Sequence, residues 1–179
     1  MRHKRLIVVT LAVAALAVAP TLAGAQGVAP RPAPITATHA ASVSAVPKFI
    51  FHAGLAFGAF HHFIYLPFKA GKFTSGSFLS KLKNYVEAGA AALFVYHETK
   101  LALQDAQRNK ALKLVVAPLT AAVALFNTIV AKVKAHKLDA ATVASAQSGV
   151  TAIEDQAKGS GSSVSEAVPS AKQILAGSA

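Results

Sequence analysis

Phe49-Ile50-Phe51-His52-Ala53-Gly54-Leu55-Ala56-Phe57-Gly58-Ala59-Phe60-His61-His62-Phe63-Ile64-Tyr65-Leu66-Pro67-Phe68 is a run of 20 residues without a single Lys, Arg, Asp or Glu, bounded by Lys48 and Lys69. Its length meets the criterion for a membrane span, yet three histidines and Pro67 sit inside it. Eight of the ten phenylalanines in the chain lie between Phe49 and Phe78, so this region is the energetic centre of whatever the molecule packs or binds. Gly54 and Gly58 are four residues apart and share a helix face, where a neighbouring backbone can approach closely. The run reads as a core helix from about Lys48 to Leu66, stopped by Pro67, which disfavours helix for its predecessor, and by Gly71.

Working outward, helix signals continue and no alternating strands or Asn-Gly or Asp-Gly hairpin turns occur. A second helix is expected from the Ser75-Gly76-Ser77 cluster to about Arg108, with Val86, Ala90, Leu93, His97 and Leu101 on its buried face. A third spans about Leu112 to His136, with Pro118 opening or kinking it. The fourth begins at Asp139, a good N-cap, and Val143, Ala146, Val150, Ile153 and Ala157 keep the 3-4 spacing of antiparallel packing. Short connections make the expected fold an all-α, up-and-down bundle of about four helices over residues 48–158.

The flanks are different in kind. Residues 1–25 read as a secretory signal: Arg2, Lys4 and Arg5 form a basic start, Leu6 to Ala19 is an apolar run, and Ala23-Gly24-Ala25 gives a small-x-small cleavage pattern. Residues 26–47, rich in Ala and Pro, read as an extended linker in which Pro30, Pro32, Pro34 and Pro47 prevent helix. Residues 159–179 follow Gly159-Ser160-Gly161 and read as a flexible tail with at most one short helix near Ala171 to Leu175. The chain contains no cysteine, so there is no disulfide framework, thiolate nucleophile or zinc finger. An exported fold without disulfides must rest on apolar packing.

The formal charge of +11, from 18 Lys and Arg against 7 Asp and Glu in 179 residues, is unevenly placed. Residues 48–137 hold 12 basic and 3 acidic residues, a net +9, whereas residues 138–179 carry a net −2. Lys69, Lys72, Lys81 and Lys83 surround the first turn, and Lys132, Lys134 and Lys137 close the third helix. Antiparallel helices bring these groups together as a lysine cluster suited to anionic lipid or an envelope polymer. Nucleic acid is disfavoured by the export signal and by the separation of aromatics from basic residues.

Four histidines offer the remaining chemistry. In an antiparallel hairpin His52 and His97 stand at about the same height, to within a turn of about 5.4 Å, and about 15 Å along the axis from His61 and His62. His52 with His97 and Glu98 form one candidate pair, and His62 or His61 with Tyr85 or Glu87 another. His97, between Leu93 and Leu101, is expected to be buried and to need a partner. The candidate metal-ligating residues are therefore His52, His97 and His62. Neither the Glu-x-x-His pairs of di-iron bundles nor His-Glu-x-x-His, a Gly-x-Ser-x-Gly elbow or a phosphate-binding glycine loop is present.

These features point to an exported, non-enzymatic basic helical protein without a cofactor, with a structural or interaction role at the bacterial cell envelope. Two alternatives stand beside it. One is a haem or transition-metal binder using buried histidines. The other is a membrane-embedded helical protein, for which Leu114 to Ala131 supplies a second uncharged run, of 18 residues. Both ends of both runs are basic, so the positive-inside rule gives no consistent orientation.

Overall fold

Alanine-rich and leucine-rich segments with few β-branched runs favour helix, and the computed structural model is helical throughout its regular elements. It describes residues 37–177, with side chains from Ala45 onward, and contains no strand among the described residues. The expected signal at residues 1–25, and the expected linker as far as residue 36, lie outside the described residues.

Helix α1, Ala37–Phe60, begins well before Lys48 and passes through Pro47. The reading of residues 26–47 as an extended linker is thus corrected over its second half. Proline removes one helical hydrogen bond and strains the turn before it, but Ala37, Ala40, Ala41 and Ala45 are strong helix formers, and Ala45 is buried. Between Ala53 and Phe60 the helix is buried all round. An apolar circumference suits a helix enclosed by neighbours as well as one enclosed by lipid.

A π-helical segment, His61–Tyr65, follows directly and leads into α2, Leu66–Lys69. The expected stop at Leu66 does not occur. In the π segment the Leu66 N–H bonds five residues back, to the His61 carbonyl. Pro67 then falls in the first turn of α2, and because that turn continues the π segment the proline costs the helix one backbone hydrogen bond. The turn that follows uses Gly71 and Gly76 at positive φ, 69° and 93°.

Helix α3, Phe78–Gln107, starts at Ser77, whose side chain accepts from the Ser80 N–H at 3.2 Å. After a 3₁₀ turn, Lys110–Leu112, come α4, Lys113–Lys134, and α5, Ala140–Gly159. As expected from the sequence, Asp139 caps α5, accepting from the Thr142 N–H at 2.9 Å. Helix α1 packs on α3, α3 on α4, and α4 on α5. Phe60 meets Phe126 of α4, with ring centroids 5.4 Å apart.

The buried face of α3 differs from expectation. Val86 and His97 are exposed, while Ala88, Ala91, Ala92, Val95, Glu98, Thr99, Ala102, Asp105 and Ala106 point inward. The spacing of the larger apolar residues suggested one face, but the alanine face permits closer approach to α1. Interhelical packing rewards that proximity.

The tail is likewise not free. A C-terminal hydrogen-bond pattern ends α5, with Gly161 at φ 76° and the Ser162 N–H bonded to the Ala157 carbonyl at 2.9 Å. Residues 163–170, outside any helix, then pass along the Gly54/Gly58 face of α1. The Ala167 N–H donates to the Gly54 carbonyl at 3.0 Å, and a Cβ on Gly54 would lie 2.5 Å from the Ser165 carbonyl oxygen. Helix α6, Ala171–Gly177, returns to α3, with Ile174 buried. The expectation of a flexible tail overlooked that a groove floored by glycines seats backbone as well as side chains.

Candidate functional site

Two polar places emerge in the helical body. The first surrounds His52, halfway along α1. Its Nδ1 lies 2.6 Å from Glu98 Oε2, and its Nε2 lies 3.9 Å from Asp105 Oδ2. Glu98 and Asp105 are seven residues apart on α3 and therefore share a face, since seven steps of about 100° nearly complete two turns. Both carboxylates are buried, at 7% and 6% exposure. The hydrogen bond to His52 satisfies Glu98, and the far edge of the same ring faces Asp105.

The expected partnership of His52 with Glu98 is present, but His97 is not part of it. It is exposed on another face of α3, because the inward face is rotated from the one the larger apolar residues suggested. His62 is exposed as well and lies edge-on to Phe63 at 4.7 Å between centroids. Thus His52, His97 and His62 do not converge, and no group of three or more potential ligands able to hold a metal ion occurs among the described residues. Asp105, with Glu87 and Glu98 one of three acidic residues in the first three helices, is not among the residues expected beside His52, although its seven-residue spacing from Glu98 carries the signal.

His61 is directed elsewhere. Instead of meeting Tyr85 or Glu87, its Nδ1 lies 3.0 Å from Glu166 on the returning tail, and its ring packs edge-on to Tyr65. Glu154 of α5 is nearby. Burial raises its carboxyl above the usual range, Glu166 and Asp155 add repulsion, and His61 opposes the rise. His62 and Glu87 do border the same shallow pocket, with Lys72 and Asn84, but the Glu87 carboxylate is paired with Lys83 at 3.8 Å.

The second place is the end of the body where α2 finishes, α3 begins and α4 finishes. Three contacts join these segments. Asn84 Nδ2 donates to the Lys72 carbonyl at 2.7 Å, Phe73 packs on Tyr85 at 5.0 Å, and Tyr85 stacks on His136 at 4.6 Å. His136 sits just beyond α4 at φ 54°, a left-handed conformation usually given to glycine. The His136 and Lys137 N–H groups bond back to the Val133 and Lys132 carbonyls at 3.0 and 2.8 Å, closing the last turn.

The lysines at this end divide into two sets. Lys132 is held by Asp139 and, at 2.7 Å, by Thr142 Oγ1, and Lys83 is paired with Glu87. Lys69, Lys72, Lys81, Lys134 and Lys137 make no ion pair among the described residues. Lys69 lies 5.8 Å from the Tyr65 ring centroid. An ammonium group on a flexible stem is a mobile point charge suited to phosphate and other anions. Positive charge is not confined here, for Arg108, Lys110 and Lys113 border a groove where α3 passes into α4. The end where α3 begins exposes more apolar surface beside its lysines, with Phe78 at 75%, Leu79 at 74% and Val86 at 65%, than the α3–α4 end, where Leu114 is exposed beside Lys113.

No known protein family matches the chain, and neither does any characterised protein or solved structure.

Proposed function

We propose that the chain is an exported, non-enzymatic helical protein that adheres to anionic material of the bacterial cell envelope and has a structural or interaction role there. Its described body is read as an up-and-down bundle of four long helices, α1, α3, α4 and α5. Export rests on the signal pattern at residues 1–25. The observation that carries the binding reading is the set of five lysines, Lys69, Lys72, Lys81, Lys134 and Lys137, without carboxylate partners at one end.

Two helical stretches, Ala45–Lys69 and Lys110–Lys134, are long and apolar enough to cross a membrane by length and composition. Their placement favours attachment over embedding. Ala53–Phe60 is enclosed by protein, and the exposed positions of α4 include Ala117, Thr120, Ala121, Ala124, Asn127 and Thr128. Small and polar residues gain little from hydrocarbon contact. The histidines give the haem or transition-metal alternative no comparable support, because His52 is engaged by Glu98 and His97 lies on another face.

The test is co-sedimentation of the chain with anionic vesicles and with an insoluble anionic wall polymer over a salt series. Binding that weakens steeply as ionic strength rises supports the reading. No binding to either, or binding indifferent to salt, overturns it.

A further inference from the structure

Helix α3 opens with large apolar side chains facing water. Phe78 is 75% exposed, Leu79 74%, Leu82 37% and Val86 65%. At about 100° per residue, these four occupy an arc of about 100°, with Lys83 beyond one edge and Lys81 beyond the other. Phe78, Leu79 and Val86 stay mostly in water, and Leu82 is partly covered. Four large apolar residues in one arc are unlike the scattered exposed hydrophobics of ordinary surfaces.

The same end supplies the charge. Lys69, Lys72, Lys81, Lys134 and Lys137 are without carboxylate partners, whereas Glu87 and Asp139 are each engaged by a lysine. A second copy of this end would bring like charges together around the apolar arc. A polyanion would satisfy the lysines and leave the phenylalanine and leucines in water. An anionic bilayer satisfies both, with phosphates at the lysines and the acyl boundary at the apolar arc, the combination used by interfacial amphipathic helices.

We infer that the first turns of α3 form a membrane-docking face, in which Phe78, Leu79, Leu82 and Val86 enter the headgroup–acyl boundary of an anionic leaflet while the neighbouring lysines hold its phosphates. This rests on the proposed adhesion through the lysine end and names its occupant. The body lies on the surface, with α1 and α4 outside the hydrocarbon.

The native chain contains no tryptophan, so Phe78→Trp places one indole at the proposed depth without background. Full chain carrying this substitution is titrated with phosphatidylglycerol vesicles and with phosphatidylcholine vesicles at low salt. The expected result is a blue shift of emission on phosphatidylglycerol alone, with quenching by lipids brominated on the acyl chain. In a companion variant, Leu79→Ser with Leu82→Ser, the partition constant falls about tenfold or more, following the loss of apolar burial, with an unchanged far-ultraviolet spectrum. The apolar run from Leu6 to Ala19 is common to every variant, so differences belong to α3.

An indole that neither shifts nor is quenched overturns the inference. So does a concentration-dependent dimer abolished by the serine pair, which would assign the face to a second copy. Inorganic polyphosphate separates adhesion from docking. Salt-sensitive binding of polyphosphate without insertion into vesicles leaves adhesion standing and removes the docking face, whereas binding of neither removes both.

Discussion

The backbone N–H of Ala167 donates to the carbonyl of Gly54 at 3.0 Å, tying the chain's C-terminal region to its most buried helix. The bond is possible because Gly54 and Gly58 present no side chains. A methyl group at Gly58 would overlap the Ala167 backbone. Gly58→Ala is therefore expected to detach residues 162–177 and to cost about 1–3 kcal/mol, in the range of overpacked sites. In a chain ending after Ser160 the same substitution should be neutral or stabilising, by up to about 1 kcal/mol, because alanine favours helix over glycine. Chemical denaturation of the four combinations and proteolysis of the tail measure the reversal of sign.

His52 stands between two buried carboxylates. Its replacement by alanine removes the hydrogen-bond partner of Glu98 and the ring beside Asp105, and leaving a buried acceptor unsatisfied costs about 1–3 kcal/mol. His97→Ala is expected to stay within about 0.5 kcal/mol, as surface substitutions do. Urea midpoints of the two variants, compared with the parent, check the contrast. Equal and small effects would show that His52 is not supporting the carboxylates.

Asp139 and Glu154 pull acid stability in opposite directions. Hydrogen bonding from Lys132, then from Thr142, holds the Asp139 carboxyl down to about 2, from the 3.8 of an ordinary aspartate. Its folded form binds protons less readily than its unfolded form. The resulting stabilisation is present above about 3.8 and is lost as pH falls toward 2. Glu154 is raised, chiefly by burial, so the fold gains from its protonation as pH falls through its raised value. Asp139→Asn should flatten the acid-side loss, and Glu154→Gln should remove the preceding gain. Thermal midpoints measured from pH 7 to pH 2 separate the two.

The His136 ring and its backbone oppose each other. Left-handed φ costs a non-glycine residue about 1–2 kcal/mol, while its stack on Tyr85 returns about 0.5–1.5 kcal/mol, the range for paired rings. His136→Gly is thus expected to change stability by less than about 1 kcal/mol in the parent. In a Tyr85→Ala background it should stabilise by about 1–2 kcal/mol, because only the strain remains to be relieved. A double-mutant cycle by denaturation measures the coupling.

Much of this arrangement is legible along the chain, for reasons that differ by element. Asp139 and Gly161 act locally, through a side chain or a φ value, so cap and stop could be read from neighbouring residues. Helical periodicity made α5 visible because its larger apolar residues face inward. In α3 that rule misled: alanines and two carboxylates form the inner face, and His97 lies outside it. The His52–Glu98 pair was accessible from matched helix heights, but Asp105 required the true rotation of α3. The partner of His61 was hidden for another reason: Glu166 lies on the segment read as a flexible tail, which the glycine face of α1 holds in place. The tail's seat depends on a glycine pair more than a hundred residues earlier, a relation no local window contains.

That last relation also sets an order of events. As the chain grows from its N-terminus, the glycine groove of α1 exists long before residues 162–170 emerge to fill it. A nascent molecule therefore carries an open slot floored by Gly54 and Gly58 along α1. Contacts this distant in sequence form late in folding because they must close a long loop first. Until then the slot is the place where an extended segment of another chain could be seated in error, so the tail acts as the molecule's own late-arriving occupant.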